Sequence, residues 1–426
     1  MKTVLILALL VSTFSIDIQA HAAAAVSFQD EIQKGDPRKG IELFTGLIED
    51  MPDRVELYVL RASCYQQVKE YDKALADYSK AIELDSKQPG FLVGRGTVYE
   101  EKGQLEQALA DYSKALELNS DWAAAHQGKG RIFRIQKNYE KAIEEFSKAI
   151  EVDPKEPTTY AWRGNLYLQK KDLDKALADF SKAVELAPGN PNAYCMRGIG
   201  YLWTKNYEKA VIDFSKAIEL NPRDVEHYVG RGDAYYHIEK YDKALPDYES
   251  ACQLAPKNVE ALLGRARTLN QLKNRDKALA DYRHVIQLDP KNVKSHWGLA
   301  GIFRRRGEFD EARAAYAEAL KLDPENAGVL EDFASFLASC PKAKMRDGEK
   351  ALQYAKKACD LKQGGDSRSF QIVAAAHAEL GNFAEAVEWQ KKALKEGAPA
   401  GKKMPESTER LKLYEDKKPY REVIKP

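Results

Sequence analysis

Seven basic side chains recur at a constant interval of 34 residues: Arg61, Arg95, Lys129, Arg163, Arg197, Arg231 and Arg265. Sixteen residues after each stands a carboxylate: Asp77, Asp111, Glu145, Asp179, Asp213, Asp247 and Asp281. Acid–base catalysis needs such groups to converge once, in one pocket that pushes their pKa values apart. A pair copied seven times along a chain does different chemistry, that of a structural ion pair built into every unit. At the next step of the series both members change together, to Leu299 and Ala315, as expected of two positions that touch. A partly buried pair of this kind is costly to break singly and fixes register more than it adds stability.

The other reactive residues form no constellation. The histidines, His21, His126, His227, His237, His284, His296 and His377, are scattered, none in an HExxH motif or a Cys/His cluster of zinc spacing. Phosphate loops, nucleophile elbows and dinucleotide fingerprints are absent from the sequence. Gly94-Arg95-Gly96 and Gly230-Arg231-Gly232 resemble phosphate loops only superficially, because their phase places them mid-helix at packing positions. No catalytic residue, metal or cofactor is expected. Five cysteines, an odd number at irregular spacing, do not make a disulfide framework. Cys340 and Cys359 should lie ~12 Å apart along a helical hairpin, beyond the ~7 Å a disulfide spans, so free, mostly buried thiols are expected.

The elements that position these residues follow from the same period. Alanines at 74, 108, 142, 176, 210, 244, 278 and 312 are each followed four residues later by Tyr78, Tyr112, Phe146, Phe180, Phe214, Tyr248, Tyr282 and Tyr316. A breaker closes each unit at Ser86, Ser120, Pro154, Pro188, Pro222, Pro256, Pro290 and Pro324. With Val55 as position 1, positions 4, 7, 8 and 11 fall on one arc of a first helix at 100° per residue. A turn follows near positions 15 and 16, plain at Gly103 and Gly307. The acid at position 18 (Asp72, Asp174, Asp242, Asp310) suits the start of a second helix, by capping and dipole. Alanine at position 20 lets the helices approach, and the aromatic at position 24 fills the space left by the small residue at position 8. Fixed-period similarity of this kind means stacked units, none of which buries a core alone.

The pattern Tyr160-x2-Arg163-Gly164-x2-Tyr167, then Ala176-x3-Phe180 and Pro188, resembles the tetratricopeptide repeat in a variant with Arg-Gly in its first helix. The resemblance implies an all-α fold, a right-handed α-solenoid (superhelix) of tetratricopeptide helical hairpins. The resemblance further implies a concave groove lined by first helices, expected to hold a segment of a partner protein. Eight regular units occupy 55–326. A degenerate helical unit precedes them at 23–54, with Phe44 and Leu47 in phase. Two divergent units follow at 327–398, the first with a lengthened turn over Cys340–Gly348. A C-terminal helix and tail occupy 399–426. The late segment, with Leu411–Glu422, is similar to the C-terminal part of exported tetratricopeptide proteins of planctomycete-type bacteria. The clamp for a chaperone's C-terminal carboxylate, basic at position 5 and Asn at position 9, is missing: position 5 holds Val59, Val93, Gln127, Ala161, Cys195, Val229, Leu263 and Trp297.

Charge is balanced, 66 basic against 65 acidic residues, with both signs spread along every repeat. No basic arm or stripe supports nucleic acid as a ligand. Residues 1–22 read as a signal peptide: Lys2, an apolar run Val4–Phe14 and the small-x-small site Ala20-His21-Ala22. The run falls short of the ~20 residues of a membrane span. The mature chain is therefore expected to be exported, periplasmic or extracellular, with no membrane span.

Positions 2, 5, 9, 12 and 13 lie on the arc opposite the buried stripe. There the central units place Leu168, Ile199, Leu202, Trp203 and Tyr236, flanked by Arg131 and Arg134 on one side and Arg267, Trp297, Arg304 and Arg305 on the other. Exposed aromatic and apolar side chains mark binding surfaces. The expected partner is another protein, contributing an extended or helical segment with apolar anchors and acidic flanks. Trp203 could instead fill a gap between units. The repeats also fit a spacer or self-associating solenoid whose groove is empty or filled by the chain's own tail, although the basic character of Lys412–Pro426 suits basic shoulders poorly.

Overall fold

The computed structural model describes residues 36–397 and 405–423; the expected signal peptide, Lys2, Val4–Phe14 and Ala20-His21-Ala22, lies outside them. The described chain holds 22 α-helices, one 3₁₀ turn and no strand. It divides into two compact units, Met1–Gly200 and Tyr201–Pro426. Within the first run α1 (Pro37–Asp50) and the hairpins α2–α3 (Val55–Gln67, Tyr71–Leu84), α4–α5 (Pro89–Glu101, Leu105–Leu118), α6–α7 (Ala123–Ile135, Tyr139–Val152) and α8–α9 (Pro157–Gln169, Leu173–Leu186). The division falls inside α10 (Pro191–Trp203). The second unit continues with α11 (Tyr207–Leu220), α12–α13 (Val225–His237, Tyr241–Leu254), α14–α15 (Val259–Gln271, Arg275–Leu288) and α16–α17 (Val293–Arg306, Phe309–Leu322). Then come α18–α19 (Ala327–Ser339, Gly348–Leu361), α20–α21 (Ser367–Glu379, Phe383–Gly397) and α22 (Pro405–Glu415). The lengthened turn after α18 contains the 3₁₀ segment Ala343–Met345, which buries Met345.

Local chemistry sets the helix ends. Position 15 takes left-handed backbone throughout, at Gly103 and Gly307 and equally at Lys69, Lys137, Lys171, Lys205, Glu239 and Lys273. A non-glycine residue there gives up roughly 1 kcal/mol, but the turn it makes satisfies carbonyls at the end of the first helix, as when Glu70 N–H donates to Tyr65 O (2.9 Å). Capping of the second helix belongs to position 16 and not, as the sequence suggested, to position 18: Asn138, Asp172 and Asn206 accept from the backbone N–H three residues on. The position-18 acids sit in the first turn and reach a cation at position 14 of the next unit, as Lys170 does to Glu140 (2.5 Å) and Lys102 to Asp72. At position 31, Asp85, Asp153 and Asp289 end helices and accept from the N–H two residues later, which turns the chain.

Rings hold successive hairpins together. The position-24 side chains Tyr112, Phe146, Phe180, Phe214 and Tyr248 are fully buried. Tyr112, Phe146, Phe180 and Tyr248 each pack on a glycine of their own first helix, and Tyr112, Phe214 and Tyr248 on another in the next. A methyl built at Gly232 would lie 3.0 Å from Tyr248, and one at Gly264, two residues earlier in phase in the next unit, 2.1 Å from the same ring. Tyr112 is held likewise by Gly96 (2.9 Å) and Gly128 (2.4 Å). Where position 6 is Trp162 instead of glycine, the preceding ring, Phe146, meets it in a tilted contact at 5.5 Å.

Six of the ion pairs expected between positions 7 and 23 form within the two units. Arg163 donates from Nε and Nη2 to Asp179 (2.9 and 2.8 Å) and from Nη1 to Ser147 of the preceding second helix (2.9 Å). Arg61, Arg95 and Arg231 repeat this fork onto Asp77, Asp111 and Asp247 with Thr45, Ser79 and Ser215. Arg265 meets Asp281, and Lys129 shares Glu145 with His126 (2.9 and 2.6 Å). Burial pushes the Asp247 carboxyl above its ordinary value, and Arg231 offsets only part of that, the balance typical of buried pairs. Burial opposes ionisation of Glu145 as well, but hydrogen bonds from His126 and Lys129 outweigh it and hold the carboxyl low. Leu299 and Ala315 replace the pair with apolar contact, and Leu299 joins a core with Phe303, Tyr316, Phe333 and Phe336. All five cysteines are free.

Two predictions follow from these contacts. Arg163→Leu alone leaves Asp179 buried without its cation and costs about 3 kcal/mol or more; adding Asp179→Ala, as the chain itself does at Leu299 and Ala315, restores most of the loss, read from denaturant midpoints. Asp366 caps α20, and its carboxyl is held down at about 2, first by the Ser369 N–H, against burial, with Lys362 and the Ser369 hydroxyl assisting. A carboxyl depressed on folding contributes stability above its unfolded pKa of 3.8 and loses it as pH falls toward 2. Asp366→Ala therefore costs about 1 kcal/mol at pH 6, and its gap from the parent in α20 amide exchange closes with acidification; a gap independent of pH contradicts this.

Candidate functional site

Positions 9, 12 and 13 of the first helices project from the face opposite the packed stripe, and the position-24 ring reaches toward position 9. In three units the position-24 tyrosine hydroxyl reaches position 9 of its own unit: Tyr78 pairs with Ser63 (3.3 Å), Tyr112 with Thr97 (3.3 Å), and Tyr248 donates to Asp233 (2.6 Å). Phe146, Phe180 and Phe214 have no hydroxyl to offer, and their units carry Arg131, Asn165 and Ile199 at position 9.

In the first unit, Arg131 turns back onto Glu100 of the preceding first helix through Nε (2.9 Å) and Nη2 (2.7 Å), with the Tyr112 hydroxyl at 3.4 Å. Its guanidinium stacks 5.4 Å over Trp162. Burial alone would lower its pKa, but Glu100 and Tyr112 raise it above the usual value. Arg131 is thus internally satisfied. Arg134 is exposed, and Leu168 and Ile199 are half-buried.

In the second unit Leu202 is half-buried while Trp203 stands 56% exposed, so Trp203 does not fill a gap between units. Tyr236 and Arg267 come together, the guanidinium 5.2 Å over the ring, a contact worth roughly 0.5–2 kcal/mol. Arg267 also reaches Asp233 (3.2 Å), and its Nε is buried without a hydrogen-bond partner. Trp297 packs its ring on Gly328 and donates from Nε1 to Asp332 (2.7 Å). Exposed Arg305 meets Asn270 (3.2 Å).

Arg304 departs most from expectation. Its Nε donates to Glu422 (2.7 Å), and Nη1 and Nη2 to the Asp332 carbonyl (3.3 Å) and Ser335 (3.1 Å). The tail that seemed too basic for this face supplies a carboxylate to it. Of the proposed basic shoulders, Arg131, Arg267 and Arg304 meet carboxylates of the chain itself, and Arg134 and Arg305 are exposed. Sequence reading missed Glu100, Asp233 and Glu422. The first two carried a signal, acids at positions 12 and 9 facing arginine at position 9 of the following unit; Glu422 carried none.

Among the described residues no three His, Cys, Asp or Glu side chains gather where a metal could bind, and no helix is long and apolar enough to cross a membrane.

This geometry defines a scaffold of stacked helical hairpins. Models of the tetratricopeptide repeat match residues 55–88, 91–121, 157–190, 191–224, 226–258 and 263–327, and a TPR-repeat model matches 130–171; the chain belongs to the tetratricopeptide-repeat family. Among solved structures, the Cut9 and Hcn1 assembly of the APC/C aligns with a TM-score of 0.53 at 14% identity, covering 84% of this chain and 76% of that one, and it shares the fold. YrrB, described as a TPR protein with an unusual peptide-binding site, aligns over 43% of this chain and 95% of its own at 26% identity and a TM-score of 0.40. A Protein SGT1 homolog of Bos taurus is 33% identical over 70 residues, 16% of this chain and 21% of the relative, so the match spans about a fifth of that protein. Tetratricopeptide-repeat proteins bind other proteins, and a protein–protein interaction scaffold is the role the fold suggests.

Proposed function

We propose that this chain is an exported, non-enzymatic scaffold whose first-helix face forms a groove for an extended or helical segment of another protein. The observation that carries the reading is Trp203, an indole 56% exposed on that face, in a unit that also presents Leu202 and the Tyr236–Arg267 stack. Solubility alone would favour polar residues there, and tryptophan and tyrosine are common binding anchors. Arg305 would meet an acidic flank there; in the first unit, taken by itself, Leu168 and Ile199 are apolar on the same helix face and Arg134 is exposed. Rings clamped between helices keep the face preorganised, so little ordering entropy opposes binding. Export rests on the leader-like residues 1–22, and the Arg-Gly type of repeat and the likeness to exported planctomycete-type proteins rest on the motifs quoted above. A second reading, a spacer whose face is covered by its own tail, is favoured at one place by the Arg304–Glu422 contact.

Cross-linking capture from the exported fraction of the source cell tests the first reading. Mature chain should retain a partner that Trp203→Ala/Tyr236→Ala, of unchanged helicity, loses by tenfold or more. Equal retention by both chains would move binding to another surface, and no retention by either would favour the spacer.

A further inference from the structure

After α22 the chain reverses at Lys417, in left-handed backbone (φ 57°), and residues 418–423 run without regular structure. They lie along the first-helix face of α16, α18 and α20. Glu422 N–H donates to the Ser339 carbonyl (2.9 Å) and its carboxylate accepts from Arg304 (2.7 Å). Arg421 reaches the Ala338 carbonyl (3.4 Å) and Glu379 (2.6 Å), and the Arg410 guanidinium sits 4.1 Å from the Tyr420 ring centroid. A small cavity between this strap and the helices is lined by Ser335, Ser339 and Gln371.

The two sides of the contact are built unequally. Arg304 keeps only 13% exposure and is fixed from the scaffold by Ser335 and the Asp332 carbonyl, both neutral acceptors. The Asp332 carboxylate serves Trp297 and Arg368. Arg131 and Arg267 draw their carboxylates from neighbouring first helices, Glu100 and Asp233; Arg304 draws its carboxylate from a strap of which no residue beyond Tyr414 is buried. A buried cation stripped of its carboxylate is strongly unfavourable, whereas the half-exposed contacts that hold the strap are individually weak. Such a site keeps a carboxylate bound but does not hold one particular segment.

We infer that this face is a peptide site closed in cis by Tyr420-Arg421-Glu422, which a partner opens by presenting an extended aromatic–basic–acidic segment whose carboxylate replaces Glu422 on Arg304. The inference rests on reading the first-helix face as a binding surface, and it names the partner's chemistry and a gate. The aromatic side chain stacks on Arg410, the base meets Glu379, and the acid meets Arg304 while its N–H takes the Ser339 carbonyl.

The probe is a fluorescein-labelled peptide of residues 416–423, titrated by anisotropy into full-length chain. Unlatched Tyr420→Ala/Glu422→Gln chain should bind it at least tenfold tighter than the parent; adding Arg304→Gln, or replacing the peptide's glutamate with glutamine, should abolish the gain. Equal affinity for parent and unlatched chain, or binding indifferent to Arg304, overturns the gate. Amide exchange on the unaltered parent needs no variant to fold. The Glu422 amide should exchange at least a hundredfold faster than amides within α18, and protection equal to α18 would make the tail a permanent cap. Light scattering should give the parent and the unlatched chain the same mass; a parent dimer lost on unlatching means the tail binds in trans and overturns the cis gate. Loss of the gate with partner capture still sensitive to Trp203 and Tyr236 would leave the broader reading standing.

Discussion

One aromatic ring at position 24, held between the first helix of its own hairpin and that of the next, is the contact on which the rest of the structure depends. A helical hairpin of about 30 residues cannot bury a core alone. The ring lets two hairpins share one, because glycine at positions 8 and 6 brings the first helices of both hairpins against it, as Gly232 and Gly264 do at Tyr248. The approach of neighbouring hairpins is thus limited by a rigid ring and not by flexible side chains.

The same ring contributes to the polar contacts of the first-helix face. Where it is tyrosine, its hydroxyl emerges beside position 9 and joins carboxylates and arginines, as in Tyr112 with Glu100 and Arg131 or Tyr248 with Asp233 and Arg267. Those arginines are neutralised within the scaffold and polish the face without advertising charge. Where it is phenylalanine, no such network forms from it, and the apolar residues Leu168 and Ile199 occur in phenylalanine units. The position 7–23 ion pairs lie deeper and act on register: the forks of Arg61, Arg95, Arg163 and Arg231 tie a hairpin to the preceding second helix as well. Where Leu299 and Ala315 replace the pair, stacked rings take over, with Tyr316 and Phe333 5.3 Å apart.

Much of this was legible in the residues because the period repeats every contact within a unit. Helix phase, the ion pairs and the ring–glycine packing all follow from positions that recur in register. Contacts between units at variable positions were harder. Arg131 and Glu100 are separated by 31 residues and Arg267 and Asp233 by 34, so a face read residue by residue takes each arginine as available. Arg304 and Glu422, 118 residues apart, lie outside any period; only folding of the tail onto α16 and α18 brings them together. Capping falls at position 16 because the second helix starts at position 17, directly after the left-handed turn at position 15, which puts the position-18 acids inside the first turn.

The most direct test of the shared-ring account is residue-resolved amide exchange on Tyr248→Ala and Tyr248→Phe. The account predicts that the alanine chain loses protection in α12, α13 and also α14, because one ring serves two hairpins, while the phenylalanine chain keeps it. Loss confined to α12 and α13, with α14 as protected as in the parent, would show that each hairpin is stabilised alone and would contradict the central claim.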